Sequence, residues 1–358
     1  MKIVCVIDSL VAGGAQRQLV ELATGFKSKG HDVVFIVYHD LDFFKPVLEG
    51  SQIVVNEVIE SNYLKRLFKV RKAIRKESPD AVLSFLEVPN FIATFAGFPY
   101  RKWKLVVGER SANPEILKSF KLKFYRYFHL FADYIVANSQ VNINLIKKVN
   151  PFLKNKKLKV IYNSLDDMVW TYDKSFEYKK EGVLNIIIPS AHRDVKNLNG
   201  LIEAVNLLSP EERMKIHIDW YGMDKGDGSL QKGKELIEKY KLTAIFSFHN
   251  AVNNIAELMK RADLIGIFSH YEGLPNAICE GMMMGKPVIC SEVSDMTHLL
   301  NKKQLVKAND PVDIKNKLIF YIQTSQVELE TLGEKNYQTA IKEFDKSKNV
   351  EKYLELLK

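Results

Sequence analysis

The sequence predicts an α/β protein made of two doubly wound parallel sheets that face each other across a cleft. Short apolar runs of strand length alternate with amphipathic helical patterns along the chain. A highly charged segment without a clear period, 167–182, interrupts this alternation near the middle and is interpreted as an interdomain linker. The length of 358 residues suffices for about two domains with separate cores.

The first series of elements predicts an N-terminal Rossmann-like domain over residues 1–166. It opens with a strand at Ile3–Ile7 and a helix at Gln16–Lys29 that ends at Gly30. Further strands are predicted at Val33–Tyr38, Ala81–Phe85, Leu105–Val107, Tyr134–Ala137 and Lys159–Ile161, with helices at Tyr63–Glu77 and Leu117–Phe131.

The second series predicts a C-terminal Rossmann-like domain over residues 183–342. Its strands are predicted at Leu184–Pro189, Ile216–Tyr221, Ile245–Phe248, Leu264–Phe268 and Val288–Cys290. Its helices are predicted at Leu198–Leu208, Leu230–Tyr240 and Asn254–Arg261, and the last stretch, about Pro311–Lys358, is helical by period.

The composition limits the class of protein. No apolar run approaches the roughly 20 residues that a membrane-spanning helix needs. The N-terminal apolar run is interrupted by Asp8, which favours a first strand over a signal peptide. The three cysteines, Cys5, Cys279 and Cys290, lie in apolar contexts and are too few for a disulfide framework. We therefore expect buried thiols in a reducing cytoplasm.

The most informative segment is 264–291, where two apolar strands flank a predicted helix. Pro275 suits the first position of this helix, and Gly285 suits the position just after its end. Glu272 and Glu280 thus flank a helix N-terminus, whose unpaired N–H groups suit phosphate. Carboxylates beside it suit sugar hydroxyls, so the segment indicates a nucleotide-sugar site. The alternative is two exposed glutamates without a ligand.

Two loops after predicted strands supply further candidates. Gly13 and Gly14 allow backbone N–H groups to approach an anion closely, although a tight strand-to-helix turn would need them too. Arg193 and Lys196 follow strand Leu184–Pro189 and are placed to hold a diphosphate, or form a solvated charge run.

These motifs together resemble those of the retaining glycosyltransferases of family 4, the group 1 transferases with the GT-B fold. Glu272-x7-Glu280 within EGLPNAICEGMMMGKPV is similar to the E-x7-E signature of that family. VAGGAQRQLVELA resembles its N-terminal glycine loop, and ADYIVANS and KVIYNSLD resemble its segments before the interdomain hinge. The resemblance covers nearly the full length.

The resemblance implies a role for each donor-side residue. Lys196 would hold the donor diphosphate, Glu280 the ribose hydroxyls and Glu272 the donor sugar. Gly222 matches a nucleotide-side strand, and Val252 would lie near the base. The N–H groups of the loop after Glu272 would meet sugar or phosphate oxygens, and this loop consists of Gly273, Leu274, Pro275 and Asn276.

On the acceptor side, Gly13 and Gly14 would line the cleft from the N-terminal domain. The final helix, about 343–358, would cross back and pack on that domain. Glu109 and Arg110 stand where many relatives carry a histidine, and Glu109 is the candidate to touch the reacting hydroxyl.

The family arginine five or six residues before the lysine is absent, since Ser190 and Ala191 occupy those positions. Arg193 is therefore the candidate replacement. In such enzymes the donor phosphate itself takes the acceptor proton, so the site needs positioning and cations and no cofactor. Asp40-Leu41-Asp42 spells a D-x-D metal signature, but it follows a strand of the wrong domain, and no metal site is expected.

The net charge of +9 arises in the first half of the chain. The predicted helices at about 63–77 and 117–131 interleave basic with apolar and aromatic residues, which suits an anionic membrane surface. An ordinary core-facing helix with a solvated charged face is the alternative. No nucleic-acid-binding motif is present, so no nucleic-acid partner is expected.

The sequence therefore predicts a cytoplasmic enzyme that is peripheral on the inner face of the cell membrane. It would move a sugar from a nucleotide-sugar, with uracil the expected base, to a lipid-linked saccharide in bacterial surface polysaccharide or lipopolysaccharide synthesis. Two alternatives stay open: a GT-B nucleotide-sugar 2-epimerase and a non-catalytic basic module that docks on membranes.

Overall fold

The computed structural model describes residues 1–179 and 182–358. The chain forms two compact units. The first contains Met1–Ser164 together with Asp345–Lys358, and the second contains Leu165–Phe344.

The first unit is built on a seven-stranded sheet in which all neighbouring strands are parallel. Its strands are β1 (Lys2–Val6), β2 (Asp32–Val37), β3 (Val54–Glu57), β4 (Ala81–Phe85), β5 (Lys104–Glu109), β6 (Tyr134–Ala137) and β7 (Leu158–Val160). The order β3-β2-β1-β4-β5-β6-β7 reverses direction between β1 and β4. Ligands of doubly wound sheets bind at the strand carboxyl ends beside such a reversal.

The helices of the first unit connect these strands. They are α1 (Gly14–Ser28), α2 (Lys45–Gly50), α3 (Tyr63–Lys76), α4 (Glu87–Ala96), α5 (Phe120–Tyr127) and α6 (Gln140–Val149). Side chains alternate between two cores because successive residues of a strand point to opposite faces. Ile3 and Cys5 of β1 join one buried cluster, and Val4 and Val6 join the other.

The second unit repeats this plan on a six-stranded parallel sheet. Its strands are β8 (Leu184–Pro189), β9 (Ile216–Tyr221), β10 (Phe246–His249), β11 (Leu264–Ile267), β12 (Val288–Ser291) and β13 (Leu305–Val306). The order β10-β9-β8-β11-β12-β13 reverses between β8 and β11. Its helices are α7 (Leu198–Asn206), α8 (Pro210–Arg213), α9 (Ser229–Lys239), α10 (Ile255–Arg261), α11 (Asn276–Met283), α12 (Met296–Leu299), α13 (Pro311–Gln323) and α14 (Gln326–Glu343).

The last helix, α15 (Lys346–Leu357), belongs to the first unit. Gly25 of α1 leaves room for it, since a Cβ there would collide with the side chain of Val350. Tyr353 and Leu357 are fully or almost fully buried in the same cluster as β1. This stretch of the chain therefore completes the core of the N-terminal unit.

The element predictions hold best for regular strands. The bounds of β4, β6, β8 and β9 agree with the predicted ranges. The single helix predicted at 117–131 is wrong. Ser119 caps a new helix by accepting a hydrogen bond from the N–H of Leu122, so α5 is flanked by short 3-10 turns at Pro114–Leu117 and Phe128–Phe131.

Much of the segment interpreted as a linker, 167–182, packs on the second unit. Trp170 and Tyr178 are buried, and Tyr178 joins the main core of that unit. Two residues of the segment, 180 and 181, lie outside the described residues. Within the described ranges, no helix has the length and apolarity that crossing a membrane requires. Cys5, Cys279 and Cys290 are buried free thiols, as predicted.

Candidate active site

An ion pair spans the reversal point of the second sheet. Lys196 follows β8 in a short 3-10 turn, and Glu272 follows β11. Lys196 Nζ lies 2.6 Å from Glu272 Oε1, and the two side chains are 21% and 16% exposed. The sequence separates these residues by 76 positions, yet the parallel pairing of β8 with β11 brings them together. A cation and a carboxylate thus share one partly sheltered site at the strand carboxyl ends.

The two loops that carry the pair are held by further contacts. The hydroxyl of Ser269, which is buried, donates to Glu272 Oε1 at 2.7 Å. The backbone N–H of His270 donates to the carbonyl of Val195 at 2.9 Å and so ties one loop to the other. The hydroxyl of Ser294 donates to the carbonyl of Gly273. The site is therefore preformed before any ligand binds.

The helix predicted after Glu272 begins one residue later than expected. Pro275 is the N-cap residue of α11, and no side chain caps this end. The prediction that Pro275 occupies the first helical position is therefore wrong by one residue. The helix starts at Asn276, and Gly285 ends it with a left-handed φ of 65°. The positive end of the helix dipole therefore lies beside Glu272, where it favours an anion.

Glu280 lies one turn further into α11 and is 2% exposed. It is therefore less accessible than Glu272, although both belong to the predicted signature. Leu274 is also buried, at 5% exposure.

Asn197 explains why the residue after Lys196 is restricted. Its φ is 61°, in the left-handed region that favours glycine or asparagine. Its side chain caps α7 by accepting a bond from the N–H of Gly200 at 3.2 Å, and it donates to the carbonyl of Ala308 at 2.7 Å. This residue therefore fixes the turn that presents Lys196.

The remaining donor-side candidates differ in their surroundings. A Cβ on Gly222 would overlap the backbone of Ser190, so the ends of β8 and β9 require glycine there. Arg193 is exposed on the turn before Lys196, and Val252 is half-buried after β10. His192 stacks on Trp220, and burial lowers the pKa of its imidazole.

In the first unit, Gly13 is the N-cap residue of α1, which starts at Gly14. Because Gly13 has no side chain, this N-cap residue makes no side-chain capping bond. The Gln16 amide donates to Asp8 Oδ1 at 3.0 Å, and the N–H of Ser9 donates to the same oxygen at 2.7 Å. The predicted glycine loop thus lies after β1, at the reversal point of the first sheet, with Asp8 beside it.

Glu109 lies elsewhere than predicted. Its side chain is 3% exposed, and both carboxylate oxygens are bound, Oε2 to Arg126 Nη2 at 2.8 Å and Oε1 to His129 Nε2 at 2.6 Å. Burial by itself would raise the pKa of this carboxyl, but the charge of Arg126 and the hydrogen bond from His129 outweigh it and hold the pKa below its usual value. The structure therefore places Glu109 in a buried network that occupies both of its oxygens, which does not fit the predicted contact with the reacting hydroxyl.

Arg110 has a structural partner as well. Its guanidinium lies 3.9 Å from the centre of the Phe85 ring and donates to the Tyr353 hydroxyl at 2.6 Å and to Asn163 Oδ1 at 3.3 Å. Because Tyr353 belongs to α15, this contact ties the last helix to the end of β5. The predicted place of Arg110 in the acceptor loop stays a prediction.

Comparisons with known proteins agree with this geometry. Residues 12–168 match the family described as Glycosyltransferase Family 4, and residues 173–339 match the one described as Glycosyl transferases group 1. The chain belongs to these glycosyltransferases. It is 28% identical over 374 residues to a Campylobacter jejuni GalNAc-alpha-(1->4)-GalNAc-alpha-(1->3)-diNAcBac-PP-undecaprenol alpha-1,4-N-acetyl-D-galactosaminyltransferase, with coverage of 100% of this chain and 98% of that protein.

A second relative of this glycosyltransferase, also from Campylobacter jejuni, is N-acetylgalactosamine-N,N'-diacetylbacillosaminyl-diphospho-undecaprenol 4-alpha-N-acetylgalactosaminyltransferase. It is 24% identical, over 80% of this chain and 79% of that protein. The crystal structure of Anabaena HepE in complex with UDP and glucose matches with a TM-score of 0.87 at 19% identity, over 100% of this chain and 99% of that one. The fold is therefore GT-B.

The basic helices of the glycosyltransferase divide into buried and exposed faces. Leu67, Val70 and Ile74 of α3 are buried, as the period predicts. Arg71 and Arg75 donate to backbone carbonyls at the end of α4 and in the loop after it. Four lysines stay exposed on α3, namely Lys65, Lys69, Lys72 and Lys76. Arg126 is fully buried, so its prediction as a surface cation is wrong.

Sequence reasoning missed several residues that shape the site. Ser269 and Ser294 hold the Glu272 loop, yet neither stands in a recognisable pattern. Arg126, His129 and Glu87 form the network around Glu109. Glu87 had a weak signal, because it is an acidic residue two positions after the end of the apolar strand β4.

Proposed function

We propose that this glycosyltransferase moves a sugar from a UDP-sugar to a hydroxyl of a lipid-linked saccharide, with retention at the anomeric carbon. The observation that carries the proposal is the Lys196–Glu272 pair at the reversal point of the second sheet. The site combines a cation, a carboxylate and the N-terminus of α11. That combination matches a donor with a diphosphate on one side and sugar hydroxyls on the other.

The chemistry assigns separate tasks to these groups. Lys196, with the N–H groups at the start of α11, offsets the negative charge that develops on the leaving diphosphate. Glu272 accepts hydrogen bonds from hydroxyls of the donor sugar, and Glu280 accepts them from the ribose. The bond from the anomeric carbon to the phosphate oxygen breaks, and a bond to the acceptor oxygen forms on the same face. The acceptor proton passes to the leaving phosphate.

The acceptor class is supported by the relatives. The names of both Campylobacter jejuni proteins describe acceptors joined through a diphosphate to undecaprenol. UDP is bound in the Anabaena HepE structure, which supports a UDP-sugar as the donor to try first. Synthesis of a bacterial surface polysaccharide or lipopolysaccharide would use such an acceptor.

A set of exposed aromatic and aliphatic side chains supports docking of the protein on a membrane surface. Phe120 is 84% exposed, Tyr100 68%, Leu64 64% and Phe68 59%. We define the aromatic surface as the exposed large apolar residues of three segments: α3, the loop after α4, and residues 120–131. Its members are Leu64, Phe68, Tyr100, Phe120, Phe124, Tyr127, Leu130 and Phe131. The exposed lysines of α3 would add attraction of about 1 kcal/mol each to anionic lipid.

Vesicle flotation tests this docking. We expect the protein to bind vesicles that contain phosphatidylglycerol and to bind pure phosphatidylcholine weakly. Phe120→Ser combined with Lys72→Gln should weaken binding, whereas Phe152→Ser, at a residue 73% exposed and outside the aromatic surface, should leave it unchanged. Equal binding by all three proteins would exclude docking through this surface.

The activity is tested in two steps. A thermal-shift screen of UDP-, GDP- and ADP-sugars identifies the donor, because a ligand that binds only the folded state raises the midpoint. Radiolabelled transfer from that donor to a polyprenyl-diphosphate-linked disaccharide, with and without a chelator, then measures the reaction. We expect an α-linked product from an α-linked donor, formed also with the chelator. A product of inverted configuration, or a strict need for metal, would contradict the mechanism.

A further inference from the structure

We propose that Glu87 binds a hydroxyl of the acceptor saccharide in the first unit. This inference rests on the proposed function, because it names the carboxylate that meets the acceptor of that reaction. It replaces the predicted role of Glu109, which is buried. Both carboxylates contact Arg126, but only Glu87 reaches the surface of the unit.

The contacts of Arg126 define the two ends of the network. Its Nη2 donates to Glu109 Oε2 at 2.8 Å and to Glu87 Oε1 at 3.1 Å. The Arg126 side chain is fully buried, whereas that of Glu87 is 27% exposed. Within the described residues, the other carboxylate oxygen of Glu87, Oε2, has no hydrogen-bond partner. One oxygen is therefore fixed, and the other is available to accept a bond from an O–H group.

The backbone around Glu87 is held in a specific conformation. Leu86, just before it, has φ 76° and ψ 158°, a combination that is unfavourable for a residue with a side chain. Asn90, one turn later, is fully buried; its Oδ1 accepts from the Ser84 hydroxyl at 2.7 Å, and its Nδ2 donates to the carbonyl of Gly108 at 3.0 Å. These bonds pin α4 to both β4 and β5. The Glu87 carboxylate is therefore preorganised.

The position in the sheet supports a ligand role. Glu87 begins α4, with only Leu86 between it and β4, and β4 pairs with β1 at the point where the strand order of the first sheet reverses. The glycine loop with Gly13 follows β1 at the same point. This is the edge at which doubly wound sheets bind ligands. The corresponding positions of the second unit carry Lys196 and Glu272.

A purely structural role makes different predictions. An acidic residue in the first turn stabilises a helix through its dipole, and Glu87 also balances part of the charge of Arg126. In that case a substitution of Glu87 would lower the stability of the protein and would reduce kcat/KM for the donor and for the acceptor together. Loss of an acceptor-binding residue would instead lower kcat/KM for the acceptor and leave the KM for the donor unchanged.

The test compares Glu87→Gln with wild type on a polyprenyl-diphosphate-linked disaccharide. We expect kcat/KM for the acceptor to fall about 10- to 100-fold, the range for loss of a hydrogen bond to a charged group. The KM for the donor and the slow hydrolysis of the donor by water should stay unchanged. Glu87→Asp should recover part of the loss by retaining the charge.

Glu57→Gln is the matched control, because Glu57 is 35% exposed and has a single ion-pair partner, Lys45, in the same unit. It should leave all kinetic values unchanged. An unchanged kcat/KM for the acceptor in Glu87→Gln would overturn the proposal. It would also be overturned if kcat/KM fell equally for donor and acceptor while the thermal midpoint of the variant was lowered. If wild type itself hydrolyses the donor but transfers nothing to the disaccharide, the proposed acceptor class fails instead.

Discussion

Lys196 and Glu272 form a 2.6 Å ion pair across the reversal point of the second sheet. Each group partly neutralises the other before a donor is bound. A diphosphate would compete with Glu272 for Lys196, and the sugar hydroxyls would compete with Lys196 for the carboxylate. Donor binding therefore exchanges one internal ion pair for two contacts with ligand, which limits the net cost of separating the charges.

The first prediction concerns this exchange. Glu272→Gln should lower kcat by about 100- to 1,000-fold, the range observed when one group of a preorganised polar site is removed. Lys196→Met should have an effect of similar size and should also raise the KM for the donor, because it removes the diphosphate cation. Initial rates over a range of donor concentrations measure both.

Glu257→Gln serves as the control for these variants. Glu257 is 59% exposed and pairs with Lys260 on α10 of the same unit. It should behave as wild type. Full activity in Glu272→Gln would contradict the role given to this carboxylate.

A second prediction concerns the turn that presents Lys196. Asn197→Ala and Asn197→Gly both lose the cap of α7 and the bond to the carbonyl of Ala308, but only alanine keeps a Cβ in the left-handed region. Alanine should therefore destabilise the second unit by about 1–2 kcal/mol more than glycine does. Urea unfolding followed by the fluorescence of Trp170 and Trp220, both in this unit, measures the difference. Equal stability of the two variants would exclude backbone strain as the reason for asparagine.

Local patterns explain why the elements of the donor side were predictable. Glu272, the start of α11 and Gly285 lie within one short segment, and their positions follow from helix ends and sequence spacing. The strands with apolar runs were found for the same reason. The helix α4 was missed because its sequence, EVPNFIATFA, has a proline and an almost wholly apolar composition that hides the helical period.

Long-range ion pairs explain why the sequence did not predict the burial of Glu109. The burial of Glu109 depends on Arg126 and His129, which lie 17 and 20 residues away along the chain. Arg126 stands among lysines and aromatic residues, so its sequence context favours an exposed cation. Only the packing of α5 and the 3-10 turn after it against β5 reveals the pairing.

The third prediction follows from this buried pairing. Glu109→Gln removes the carboxylate that neutralises Arg126 and should destabilise the first unit by about 3 kcal/mol at pH 7. The pKa of Glu109 is lowered in the folded protein, so its contribution is fully present above the unfolded pKa of about 4.3 and is lost as the pH falls through the folded value. The difference between wild type and variant should therefore shrink below about pH 4.

Hydrogen exchange of peptides from β5 and α5 measures this difference from pH 7 to pH 3. Glu57→Gln, which breaks an exposed pair, should change it little. A stability difference that does not depend on pH would show that Glu109 acts through packing and not through its charge.

The last prediction concerns a buried lysine of the second unit. Lys286 is 2% exposed, donates to the carbonyl of Lys260 at 2.7 Å and lies over the ring of Phe176. Burial lowers its pKa from 10.5 to about 7, against the opposing charges of Asp263 and Asp173. Between these two values the unfolded chain binds more protons than the folded one, so this residue makes stability rise with pH from about 7 to 10.

Lys286→Met should therefore be more stable than wild type at pH 6, and its advantage should decline as the pH rises toward 10. Urea midpoints of the two proteins at pH 6, 8 and 10 measure this. Lys335→Met, at an exposed position of α14, controls for general effects of charge and should show no such trend. If Lys286→Met loses the same stability at every pH, the ammonium group stays charged in the folded protein and its contact with Phe176 outweighs the cost of burial.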